Sequence, residues 1–180
     1  MTNVDPDPLF RSAKVLSYLL SFMLAVIVSV VAAGLFVLLI DAPGLGAYLA
    51  SLIGYSEVSL RLWQVLVLSA LVLIQLSIWT AILYNGRRVF GSLQVADVIT
   101  AAHHARVAAR LLWLMLFWGI LAHTLSVLAI TWHFPVGQRA LGISFGTSEV
   151  STAFAALLAS FTSQAFVMGA ALWQDHREVI

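Results

Sequence analysis

The sequence predicts an all-α protein, a bundle of four transmembrane helices with both termini on the cytoplasmic side. Three observations predict it. First, hydrophobic residues make up 62% of the 180 positions and charged residues 9%, with a mean hydropathy of +1.00, whereas a soluble domain carries about 25% charged residues. So little charge cannot cover a folded surface in water, and much of that surface must face lipid. Second, apolar runs at 16–40, 62–84, 111–132 and 150–173 each reach the roughly 20 residues that a helix needs to cross about 30 Å of hydrocarbon. Third, Arg11, Lys14, Arg87, Arg88, Arg106, Arg110 and Arg177 fall before the first run, between the second and third, or after the fourth, leaving Arg61 and Arg139 to the other two connections. Cytoplasmic connections carry the excess of Lys and Arg, which sets the orientation.

The elements follow in order. Asp5-Pro6-Asp7-Pro8 reads as a short polar arm. The run at 16–40 contains no charge, is too long for the 7–15-residue core of a signal peptide, and follows an acidic rather than a basic start. It reads as a retained span. In the outer connection, Pro43, Gly44 and Gly46 make a turn and 47–53 a short interfacial helix. The second span closes at Asn85-Gly86, a turn dipeptide. From about Ser92 the pattern turns helical and continues through 92–110, projecting into the cytoplasm, into the third span. In the second outer connection, 140–146 reads as extended chain or a small strand. Aromatic anchors agree with these limits, with Trp63 and Trp132 at the outer interface and Tyr84, Trp113 and Trp173 near the inner one. All 180 residues form one domain.

A weak internal repetition is present. Ser56-Glu57-Val58-Ser59 precedes the second span and Ser148-Glu149-Val150-Ser151 the fourth. It fits either a duplicated hairpin, as in some transporters, or the shared grammar of helix starts, where serine caps and an acid suits the positive dipole end. The grammar is the simpler account.

Composition excludes several functions. A net charge of +1 offers no basic face for nucleic acid. The absence of cysteine removes disulfides, thiolate metal sites and cysteine nucleophiles. The chain holds no His-Glu-x-x-His and no phosphate-binding glycine loop, so no enzyme is expected. No span contains Asp, Glu, Lys or Arg, which leaves no charged stepping stones for an ion path.

A few residues remain as candidates. His123 is the ionisable side chain deep inside a predicted span, and such residues are functional candidates. It fits a haem or chlorophyll-type pigment ligand. It equally fits a structural hydrogen bond to Thr124, Ser126, Gln75 or Gln164, which the lack of a second buried histidine favours. Adjacent His103 and His104 point about 100° apart on a helix and lack the i, i+4 spacing of a metal pair, so no metal is assigned. Arg87, Arg88, Arg106 and Arg110 read as inner-leaflet anchors able to meet anionic headgroups. Two stripes of small residues, Ala25, Ser29 and Ala33 in the first span and Ala155, Ala159 and Ser163 in the fourth, read as helix-packing faces.

The segment Gly86-Arg87-Arg88-Val89-Phe90, the basic amphipathic lead into the third span and the charged ending Asp175-His176-Arg177-Glu178-Val179-Ile180 together resemble a bacterial membrane family, domain of unknown function 2975. His176 and Arg177 depart from its more acidic ending. The resemblance implies four spans, no established activity, a multi-pass place in a bacterial plasma (inner) membrane and, since some members are encoded beside small helix-turn-helix regulators, a partner in regulation. The resulting expectation is a non-catalytic protein working by contact, as the accessory subunit of a membrane complex, a regulatory partner or a homo-oligomer. A small-molecule or lipid transporter or binder, as a single chain or a dimer, and a pigment or haem carrier through His123 are the alternatives.

Overall fold

A computed structural model describes residues 7–55, 58–95, 97–135, 141–143 and 146–178, with side chains placed from Ser12 to Gly169 and at Ala171. All regular structure among the described residues is helical: α1 Asp7–Ile40, α2 Ala42–Leu52, α3 Leu62–Gln94, α4 Val98–Thr131 and α5 Thr147–Glu178. Segments Ser12–Ile40, Leu62–Gln94, Val98–Thr131 and Thr147–Gly169 are long and apolar enough to cross a membrane. The chain is thus an all-helical, multi-pass membrane protein by length and composition.

The four long helices pack in a row. α1 lies on α3, α3 on α4 and α4 on α5, while among the described residues α1 makes no appreciable contact with α4 or α5. Each helix is apolar nearly all round because lipid covers what its neighbours do not, so nothing forces the row to close. Along α1 the half-buried positions include Ala13, Ser17, Leu20, Leu24, Ile27 and Val31, a 4-3 spacing that keeps one seam facing its neighbour. No described residue of the α1 span is fully buried.

α2 covers most of the short helix expected over 47–53, but it also takes in Pro43, Gly44 and Gly46, which the sequence reads as a turn. Asp41 caps it, Oδ1 accepting from Gly44 N at 2.9 Å, with proline in its first turn. It ends where Tyr55 N donates to Ala50 O at 2.9 Å, around Gly54 at φ 92°, a left-handed conformation that favours glycine. Its inner face meets α3 and α4. Ala50, Leu68 and Ile130 form one buried cluster, and a Cβ on Gly46 would stand 2.6 Å from Val65 Cγ2, so the close approach of α2 to α3 requires glycine there. A second cluster, Ile78, Ile82 and Met115, joins α3 and α4 further along.

Several features differ from the sequence reading. Asn85-Gly86 makes no turn: α3 runs through both to Gln94. Asn85 Nδ2 donates back to Ala81 O at 2.8 Å and its Oδ1 meets His104 Nδ1 at 3.0 Å, so a tertiary partner outweighs a modest turn preference. The helix expected from 92–110 is instead divided, α3 ending at Gln94 and α4 starting at Val98 with Asp97 as its cap. The repeated Ser-Glu-Val-Ser segments also part company. Val58 and Ser59 precede α3 without helical structure, whereas 148–151 lies inside α5; Ser56 and Glu57 fall outside the described residues. Residues 141–143 have no regular structure, and the rest of the expected extended segment, apart from Gly146, falls outside the described residues.

Candidate functional site

The site with the most chemistry lies where the α3/α4 pair extends past its apolar length. Trp63 and Tyr84 are 21 residues apart on α3, about 32 Å at 1.5 Å per residue, and Trp113 and Trp132 about 29 Å apart near the end of α4, each close to the thickness of a bilayer core. Trp63, Tyr84 and Trp132 are exposed large aromatics, as interface anchors are. Beyond Tyr84 and before Trp113, the helices carry Arg87, Arg88, His103, His104, Arg106 and Arg110 in a polar layer.

The connection at its tip is compact. Asp97 N and Val95 N both donate to Ser92 O, at 3.0 and 3.2 Å, and Asp97 Oδ1 accepts from Thr100 N at 3.1 Å. The Thr100 hydroxyl, followed by its backbone N–H, holds the Asp97 carboxyl below its ordinary pKa, because both favour the charged cap. One turn further, the His103 and His104 rings meet edge to face at 5.5 Å. Partial burial, then the neighbouring His103 and Arg88, push the His104 pKa down.

Arg88 is held in place. Its Nε and Nη2 donate to the Tyr84 hydroxyl at 3.1 and 2.9 Å, and its guanidinium carbon sits 5.3 Å from the Tyr84 ring centroid. Beside it opens a cavity of about 530 Å³ between α1 and α3, lined by Ser17, Tyr84, Arg87, Arg88 and Ser92. Gly91 forms part of its wall, and a Cβ added there would meet nothing within 4 Å. The structure therefore brings together Arg87 and Arg88 with Ser17, which the sequence reading had not singled out. Arg106 and Arg110 stand exposed on α4 and do not line this cavity. The side chains of Arg11 and Arg177, and Trp173, fall outside the described side chains.

His123 is half-buried on α4 and within electrostatic reach of Glu149, in the first turn of α5. None of its expected partners bonds it among the described residues. Thr124 donates to Ile120 O of its own helix at 2.9 Å, and Gln164 is exposed. His104 lies 19 residues away, about 29 Å along α4, and His133 lies past the helix end. Among the described residues no group of three or more His, Asp or Glu could hold a metal ion.

The two small-residue stripes have different fates. Ala25, Ser29 and Ala33 are exposed, turned away from α3. On α5, Ser163 is buried and Ala155 and Ala159 half-buried, with fully buried Ala156 beside them. Trp113 Nε1 donates to Ser160 Oγ at 3.1 Å across the α4/α5 seam. Gln64, which the sequence reading passed over, is fully buried. Its Oε1 accepts from Arg61 N at 2.7 Å and its Nε2 donates to Ala129 O at 2.6 Å, tying the start of α3 to the end of α4. A lone glutamine at a span boundary was the available clue.

Comparison of the chain with protein-family models, with curated proteins and with solved structures found no match.

Proposed function

We propose that this chain is a multi-pass protein of a bacterial plasma (inner) membrane that works by contact rather than by catalysis, as an accessory subunit, a regulatory partner or a homo-oligomer. Both termini and the connection at 95–97 lie in the cytoplasm, an orientation supported by the concentration of Arg87, Arg88, Arg106 and Arg110 at one end of the α3/α4 pair. One observation carries the contact reading. α1 is attached to the rest along a single seam, leaving the face with Ala25, Ser29 and Ala33 exposed beside Phe22 and Phe36. Small residues on such a face permit close approach of another helix in lipid. The resemblance to domain of unknown function 2975 supports the regulatory form.

The chain has no cysteine, so Ala25→Cys and Ser29→Cys variants report contacts without background. Oxidative cross-linking in native membranes, followed by purification in mild detergent, is expected to trap either a partner or a second copy. A monomer that neither cross-links nor co-purifies with any protein removes the proposal.

A second reading, a binder of a small polar molecule, is favoured by one feature. Gln75 Oε1, Trp118 Nε1 and Ser69 Oγ are buried without a hydrogen-bond partner among the described residues, and such groups in a low-dielectric interior favour a polar guest.

A further inference from the structure

A second, apolar hollow lies further along α1 and α3 from the basic cavity. Toward the middle of the spans, a hollow of about 300 Å³ opens between Ile27, Val28 and Val31 of α1 and Leu73 and Leu76 of α3. At 100° per residue, Leu73, Ser77, Thr80, Gly91 and Val95 all fall within about 40° of Tyr84 on α3, and Val28 and Val31 within about 40° of Ser17 on α1. The two hollows therefore face the same way. Ser77 and Thr80, on the apolar stretch, donate their hydroxyls to Leu73 O and Leu76 O of their own helix, each at 2.8 Å, so that stretch presents methyl and methylene groups. From Ser17 to Ile27 the rise is about 15 Å, half the thickness of a bilayer core of about 30 Å and hence the depth of one leaflet.

The polar end selects the head. Arg88 is pre-positioned by Tyr84, and neither Arg87 nor Arg88 has an ion-pair partner among the described residues. Guanidinium groups hold phosphate oxygens through paired, charge-assisted hydrogen bonds. Among the described residues no carboxylate lines the cavity to receive the ammonium of a zwitterionic headgroup. We propose that the α1/α3 flank is a binding groove for one anionic phospholipid, its phosphate on Arg87 and Arg88 and an acyl chain laid between Val28, Val31 and Leu73. The apolar hollow aligned beneath the arginines distinguishes this ligand from free phosphate. The inference rests on the reading that the chain spans a membrane.

The test uses the full chain, purified and delipidated in a non-ionic detergent, with thermal unfolding followed during titration. Dioleoylphosphatidylglycerol is expected to raise the Tm saturably; dioleoylphosphatidylcholine and inorganic phosphate are not. The Arg87→Gln/Arg88→Gln pair, at exposed positions, is expected to weaken the phosphatidylglycerol midpoint at least about tenfold. Ser77→Trp, which fills the apolar hollow with both arginines intact, is expected to weaken it as well. Arg110→Gln, outside the cavity, is expected to leave it unchanged. The groove is overturned if the double variant keeps its midpoint, if Arg110→Gln weakens binding as much, or if phosphatidylcholine or phosphate alone matches phosphatidylglycerol. A chain that needs detergent yet ignores phosphatidylglycerol sinks the groove alone, while one that stays in solution without detergent sinks the membrane reading with it.

Discussion

Replacing Gln64 tests the joint on which the α3/α4 pair depends. The side chain is fully buried, and its amide closes two gaps at once. Its oxygen takes the backbone N–H of Arg61, at 2.7 Å, just ahead of α3. Its nitrogen takes the Ala129 carbonyl at 2.6 Å, one of the last four of α4 that have no partner inside the helix. Gln64→Leu keeps most of the volume and removes both bonds. A net hydrogen bond is worth about 1 kcal/mol, and a buried group left unsatisfied costs about 1–3 kcal/mol, so the loss should be about 2–4 kcal/mol. Gln64→Ala adds a cavity next to Val65 and Leu68, for about 1–2 kcal/mol more. Equilibrium unfolding in mixed micelles, with SDS as denaturant, measures both variants. A Gln64→Leu protein within about 0.5 kcal/mol of the parent would refute the reasoning, because that value is the low end for a single lost hydrogen bond.

Other substitutions probe the remaining features. Gly46→Ala places a Cβ 2.6 Å from Val65 Cγ2 and is expected to destabilise the α2/α3 contact by about 1–3 kcal/mol, read by the same unfolding assay; an unchanged midpoint would mean that α2 lifts away freely. Asp97 has a folded pKa below its unfolded value, so its contribution is present above the unfolded pKa near 3.9 and lost as pH falls through the lower folded value. Asp97→Ala should therefore lower the Tm at neutral pH and converge with the parent in strong acid. His104, in the polar extension, has a depressed folded pKa; protonating it opposes folding, and stability should decline as pH drops below about 6.5. That decline should be reduced in His104→Gln, and an identical pH profile for the two proteins would contradict it. For orientation, Val95→Cys is expected to resist a membrane-impermeant maleimide in intact spheroplasts and to react once they are opened; labelling before opening reverses the topology.

Membrane character, helix number and the four apolar stretches were legible in the residues because partition into lipid depends on each segment's own composition, and backbone hydrogen bonds within a helix need no distant partner. The short helix after the first span was legible only in part: 47–53 reads as helical, while Pro43, Gly44 and Gly46 read as a turn and lie inside α2. Pairing was different. Ala25, Ser29 and Ala33 and the 4-3 series through Ser17, Leu24 and Val31 are both acceptable seams on one apolar helix, and only shape against α3 selected the second. Asn85-Gly86 carries a turn preference that a partner 19 residues on, His104, overrode. Gln64 acquires its meaning from carbonyls 65 residues away, and the union of Ser17 with Arg87 and Arg88 in one cavity from the antiparallel register of α1 on α3. Local chemistry determined what each stretch is, while the row of helices decided which of its faces touch, because contact energy depends on positions that no single segment contains.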